Sequence, residues 1–334
     1  MPLKIFGRFS CILAFVLISI ALIYPAALMA EDLVWDGTGP NPWTMAPNND
    51  VWVYPLQSSS GNKVFIKADI PGLPATGGLS YVQGLMVNSE SSFNTIVVEG
   101  PQRLTVQMVH GGFNQMGTWV ANVNSGTLKA NDNSVTIRNA ELFYGYRHTA
   151  YGGRNYFFGE GTVIAERNTV VVDNAQAYFV IGGSNEKADK NGETTGLANY
   201  NLVDVKDSTI DYMIVGGYNA PRITAGSAIY NTVILRGAVS VGTSVYGGNS
   251  KNGVATVGFD QFTGNHLFVV LPKASGIDIG AKLGGFEKYS FVLDPMLSSG
   301  SIVLDVAKSA VLTDSLGRSS VVDSLEMVDG AIPQ

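Results

Sequence analysis

The chain has 334 residues, of which 14% are charged and 39 are glycine, with a net charge of −6. An apolar content of 46% excludes a disordered polyelectrolyte, and the acidic balance argues against a nucleic-acid partner, which needs a basic face. Low charge and abundant glycine, compared with ordinary soluble domains, point to a β-rich, turn-rich chain.

Residues 1–30 read as a secretory signal peptide. Lys4 and Arg8 supply a basic start, Cys11 to Tyr24 runs without a charge, and Ala26-Ala27-Leu28-Met29-Ala30 gives a small-residue exit. The apolar run is shorter than the roughly 20 residues that span a bilayer. Export is therefore expected, with the mature chain beginning at Glu31, no membrane span after signal removal, and an address at the cell surface, outside the cell or in the periplasm. Cleavage removes two basic residues and moves the charge from −6 to −8. It also removes the only cysteine, which excludes disulfide scaffolds, thiol catalysis and cysteine-ligated zinc.

The mature chain carries an internal repeat. A segment Asn-x-apolar-x-apolar recurs as Asn94-Thr-Ile96-Val-Val98, Asn133-Ser-Val135-Thr-Ile137, Asn168-Thr-Val170-Val-Val172, Asn201-Leu-Val203-Asp-Val205, Asn231-Thr-Val233-Ile-Leu235 and Asn265-His-Leu267-Phe-Val269. Successive asparagines are 39, 35, 33, 30 and 34 residues apart. Each segment is followed by a Gly-Gly pair, the first at Gly111-Gly112 and the last at Gly284-Gly285. The second and fourth residues after each asparagine share one face of a strand and form an inward row. The fifth is Glu99, Arg138, Asp173, Lys206, Arg236 and Val270, an outward row that alternates in sign over its first four members. At the sixth, Gly100, Asn139, Asn174, Asp207, Gly237 and Leu271 are mostly types that accept positive φ and end a strand.

One such unit cannot bury its apolar face alone, whereas stacked units share a core. The fold class expected is all-β, a right-handed parallel β-solenoid of about six irregular repeats. Residues 31–93, rich in Trp35, Trp43, Trp52, glycine and proline, are expected to form an N-terminal cap. The repeats occupy 94–285, and 286–334 holds short strands over Tyr289–Leu293, Ser301–Val306 and Ala310–Thr313 that close the solenoid or lead to a translocator. Ser184 to Asn199 reads as a projecting polar loop.

Tandem asparagine strands with Tyr-Gly-Gly segments, clearest in Asn231-Thr-Val-Ile-Leu235 and Val245-Tyr-Gly-Gly-Asn249, resemble the passenger domains of bacterial autotransporter proteins. Phe286-Glu-Lys-Tyr-Ser-Phe-Val-Leu293 and Ser299-Gly-Ser-Ile-Val-Leu304 look like the region that follows such repeats. The resemblance spans about residues 94 to 320. It implies a Gram-negative exported protein with a β-helical passenger and an adhesive role. Members of that family continue into an outer-membrane barrel, and the residues after Thr313 are not expected to form one.

Candidate chemistry is sparse. His110, His148 and His266 fall in different repeats without metal-ligand spacing, so no metal site is expected. No P-loop or nucleophile elbow occurs, so no cofactor is expected, and the Gly-Gly pairs read as turn corners. Asp189-Lys-Asn191-Gly192-Glu193 lacks the ligand spacing of a calcium loop. Parallel β-helices can host polysaccharide lyases and hydrolases, and Asp173, Asp204 and Asp207 are the acids on which such an enzyme would depend. A binding module has more to draw on. The third residues after asparagine, Val97, Val171, Ile234 and Phe268 with Thr136 and Asp204 between them, form a largely apolar outward stripe. Aromatics beside the glycines (Phe113, Tyr151, Tyr218, Tyr246 and Phe286) either stack along an edge or bind glycans. The function expected is therefore structural or adhesive binding to a host surface protein or glycan, with the polysaccharide enzyme as the alternative. The oligomeric state is not encoded in these patterns.

Overall fold

A computed structural model of the chain describes residues 32–38, 44–45, 52–53, 60–76, 79–82, 89–116, 124–142, 149–187, 192–250, 259–271, 276–295, 297 and 300–327. The signal peptide, Trp43, His148 and the stretch from Asp189 to Asn191 lie outside these residues. Every described element is a β-strand, and the strands wind into a parallel β-solenoid of about seven turns.

Each turn has three faces. The asparagine face is a parallel ladder in which Ser134–Arg138 pairs with Thr95–Glu99 on one side and Thr169–Asp173 on the other. Leu202–Lys206, Thr232–Arg236 and His266–Val270 follow in the same register. Val135 and Ile137 thus lie over Val170 and Val172, and these over Val203 and Val205, all fully buried. The ladder also takes in Asp32–Trp35 and Lys63–Ile66, from the segment expected to form a cap, and Lys288–Leu293 and Val321–Met327 at the other end. The glycine face continues each strand around a bend. In one turn it runs through Gln176–Lys187, and the third face is the short strand Thr194–Leu197. Among the described residues of the stretch read as a projecting loop, Ser184–Lys187 and Thr194–Leu197 are instead strands that pair with neighbouring turns.

Two bends per turn use left-handed backbone. Asn174, Asp207 and Gly237 end their strands at φ between 45° and 63°, as their residue types predict, and Asn139, at φ 50°, bends the strand Ser134–Leu142 where its pairing register shifts. The second bend precedes each asparagine, where Phe93, Asp132, Arg167, Tyr200 and Tyr230 hold φ between 54° and 60°. Those five side chains give no composition signal for it.

The repeat asparagines point inward and stack. Each side-chain amide nitrogen donates to the side-chain oxygen of the next, at 3.0 to 3.2 Å, from Asn62 through Asn94, Asn133, Asn168, Asn201 and Asn231 to Asn265. The same oxygen accepts the backbone N–H of the preceding asparagine, as Asn168 does for Asn133 at 3.0 Å. All seven are buried, and each link satisfies a donor and an acceptor that burial would otherwise leave unpaired. Asn62-Lys-Val64-Phe-Ile66 is a further copy of the repeat, at its N-terminal side.

The Gly-Gly pairs are not corners. Five of them sit inside strands with no positive φ; only Gly285, at φ +71°, turns the chain. What they permit is close approach. A Cβ on Gly152 would stand 2.6 Å from the Cβ of Asn168, and one on Gly153 would stand 2.1 Å from the Ala130 carbonyl. The glycine face passes directly beneath the asparagine row and pinches the cross-section into two lobes. The larger lobe holds the valine and isoleucine core, and the smaller holds Met116, Leu128, Phe157, Val163, Ile223 and Phe259. A second asparagine row, Asn114, Asn155, Asn185 and Asn219, runs through the smaller lobe at 2.8 to 3.0 Å spacing. Its spare amide hydrogens reach carbonyls of the third-face strands.

Candidate functional site

The pinch that closes the interior opens a groove on the outside. Where the glycine face dips toward the asparagine row, its outward side chains line a trough parallel to the solenoid axis. One wall is the column Tyr151, Ile181, Val215 and Tyr246, aligned by strand register; Tyr218 and Asn249, in register with each other, line the other. Rungs repeat at about 4.8 Å, so successive side chains in each column are one strand spacing apart. The main basin encloses about 510 Å³, with Phe179, Tyr212 and Glu186 also on its walls. A second basin of about 310 Å³ adjoins it and shares Tyr246 and Lys282.

The aromatic floor is held in place. Tyr212 stacks on Tyr178 with centroids 5.1 Å apart and meets Phe179 edge-on at 4.8 Å. Arg154 lies 4.8 Å from the centre of the Tyr151 ring and 5.5 Å from that of Phe113, a cation–π arrangement. Its guanidinium also makes a two-pronged pair with Glu186, Nε and Nη2 each donating at 2.9 Å, and Ser184 donates to the same carboxylate at 3.2 Å. Burial alone would lower the Arg154 pKa, but the Glu186 charge and hydrogen bonds, together with Tyr151 and Tyr156, outweigh it and hold the guanidinium more firmly charged than usual. Burial pushes the Tyr151 hydroxyl up to about 12 and, with Glu186, raises Tyr218 further, so both present neutral hydroxyls.

In the second basin Arg318 bridges Asp314 and Asp260 and lies 5.3 Å from the centre of the Phe262 ring. Burial would raise the Asp260 pKa, but hydrogen bonds from Arg318 and Thr263 hold it well below the usual carboxylate range.

The candidate acids lie elsewhere. Asp173 and Asp207 flank Lys206, at 3.4 and 4.0 Å, and Asp204 pairs with Arg236 at 2.8 Å. Asp207 also accepts the Ala238 N–H, and it borders a polar recess of about 410 Å³ with Arg103, Asn139 and Asn174. None of the three lines the aromatic groove. Val97, Val171, Ile234 and Phe268 form one outward column on the asparagine face, each half-buried, with Thr136 and the Asp204–Arg236 pair interrupting it.

Of the histidines, His110 is 1% exposed behind the groove, with Tyr151 edge-on at 5.0 Å. Neither ring nitrogen has a partner among the described residues, and burial, aided by Arg154, holds its pKa well below the ordinary value. His266 stacks on Phe268 at 3.9 Å and lies 2.8 Å from the Ser290 hydroxyl.

Tyr151, Tyr218 and Tyr246 stand out in the sequence through their place beside glycine, and the structure brings them into one trough. Phe113 stands beside it, next to Arg154, and Phe286 is buried in the larger core instead. Phe179, Tyr212, Arg154, Glu186 and Lys282 are not singled out by the repeat. The motif Gly-Gly-x-Asn, present in four copies beginning at Gly111, Gly152, Gly182 and Gly216, is the signal that aligns their columns. No protein-family model, curated protein or solved structure matches the chain.

Proposed function

We propose that the protein is an exported solenoid with a structural and adhesive role, similar to autotransporter passengers, which binds an extended partner along the groove of its glycine face and catalyses nothing. The observation that carries this reading is the continuous aromatic trough through Tyr151, Tyr218, Tyr212 and Tyr246. Aromatic faces with polar groups between them suit glycans, whose rings offer an apolar face and a rim of hydroxyls. A repetitive trough also lets several weak contacts add along one ligand. The acids that an enzyme would need are tied to cations outside the trough, and the carboxylates that line the trough, Glu186 and Asp314, are tied to Arg154 and Arg318. Residues 1–30 supply the export signal in this reading.

The test is binding of the purified mature chain to a glycan array and to host cells, beside a Tyr212→Ala variant. Tyr212 is 36% exposed, so its removal spares the core. Retention of wild-type binding by that variant refutes the groove as the binding face. Degradation of any polysaccharide, lost on Asp173→Asn, Asp204→Asn or Asp207→Asn, replaces the adhesive reading with the enzymatic one. N-terminal sequencing of the exported product is expected to begin at Glu31.

A further inference from the structure

Resting on the groove as a glycan site, we infer that its ligand is an acidic glycan, a polysaccharide segment that bears a carboxylate seated at Lys282. The charges of the trough decide this. Glu186 is closed by Arg154 through two hydrogen bonds of 2.9 Å. Asp314 is closed by Arg318, which also binds Asp260 at 2.9 Å. Lys282 lines both basins where they meet beside Tyr246, and its ammonium has no carboxylate partner among the described residues. Its strand neighbours in the ladder are Ser244 and Ser309, which add no charge.

Among the residues that line the two basins, Lys282 is the charged side chain that stands without an ion-pair partner, and it does so where the basins meet, whereas the second basin holds Asp314 and Asp260 against the one guanidinium of Arg318. A neutral sugar leaves that ammonium with nothing but solvent, whereas a uronate supplies the opposite charge where the aromatic walls hold the ring. Tyr246 on one side and Tyr212 on the other offer apolar surface to the rings, and Asn249 and Thr243 offer hydrogen-bonding groups to hydroxyls. An acidic peptide could satisfy Lys282 as well, but it has no ring faces to match a floor of tyrosines.

The deciding experiment compares an oligogalacturonate with its methyl ester, which keeps the rings and removes the charge, by calorimetry on the purified chain at low and high salt. The free acid is expected to bind about 5- to 10-fold tighter at low salt, the size of one charge-assisted contact at a partly solvated site. Lys282→Gln should bring the acid down to the ester's affinity and remove the salt dependence, while Tyr212→Ala should weaken both ligands. Equal affinity for acid and ester, or an unchanged Lys282→Gln variant, overturns the acidic preference and leaves the groove a glycan site. Failure of both ligands to bind, with no other glycan retained on the array, overturns the groove reading itself. Competition by polyglutamate as effective as by oligogalacturonate identifies a peptide site instead.

Discussion

The side-chain nitrogen of Asn168 stands 2.8 Å from the place a Cβ on Gly153 would occupy, and the side-chain oxygen stands 2.9 Å from it. A Cβ on the neighbouring Gly152 would stand 2.6 Å from the Asn168 Cβ, so the pinch of the cross-section is set by the absence of two carbon atoms per turn. The shape of the external groove depends on the same contact.

Gly153→Ala is expected to destabilise the solenoid by about 1–3 kcal/mol or more, since the clash is with backbone and cannot be relieved by a rotamer change. Urea unfolding is the measurement. A change within about 0.5 kcal/mol, the usual effect of a surface substitution, means that the two faces are not in contact there.

Asn168→Ala removes the acceptor of both the Asn133 backbone N–H and its side-chain amide, each at 3.0 Å. Two buried donors are left without partners, and the expected loss is about 2–5 kcal/mol. Hydrogen exchange should show the amide of Asn133 among the first to lose protection. If distant turns lose protection first, the row does not act turn by turn.

The charge ladder makes a subtler test. Glu99, Arg138, Asp173 and Lys206 alternate as the sequence predicts, and Arg138–Glu99 and Lys206–Asp173 close at 3.5 and 3.4 Å. Lys206 and Arg236 then meet as like charges in register, and Arg236 turns aside to Asp204. Asp204→Asn should release Arg236 toward Lys206 and cost about 0.5–1 kcal/mol, less at high salt. A cost that is the same at low and high salt would show that Asp204 contributes packing and not charge.

His110 gives a pH dependence of known sign. Its folded pKa lies below the ordinary value while the unfolded chain titrates normally near 6.5, so below that pH the unfolded state binds the extra proton. Stability is fully present above pH 6.5 and falls as the pH drops, by at most about 1.4 kcal/mol per unit. His110→Phe should flatten this part of the profile between pH 7 and 5, and the partly buried His266, lowered in the same direction, accounts for a share of what remains. An unchanged slope in the Phe variant places the proton elsewhere.

The register was legible because the Asn-x-apolar-x-apolar segment states the strand and its inward face in five residues, and the turn-forming residue six positions after the asparagine marks its end in three copies. Its N-terminal copy at Asn62 follows the same rule but stands among tryptophans and prolines that read as an irregular cap. The Gly-Gly pairs were visible but carried the wrong physical meaning. Glycine in a sequence does not say whether it supplies a positive φ or room for a neighbour, and only the approach of Asn168 to Gly152 and Gly153 decides. The groove was half-legible for the same reason: Tyr151 and Tyr246 are conspicuous, but Glu186 and Lys282 join them only through pairing across turns.

Every amide in the asparagine row donates in the same direction along the chain. The row is therefore a directional seam, and any rung that brings its own asparagine and glycine pair can be spliced between two others. It receives a hydrogen bond from the rung before and gives one to the rung after. Length then becomes an adjustable property, altered in steps of about 4.8 Å without redesign of the interior. Gene duplication or deletion of one 30- to 39-residue unit would lengthen or shorten the molecule while its cross-section stays the same.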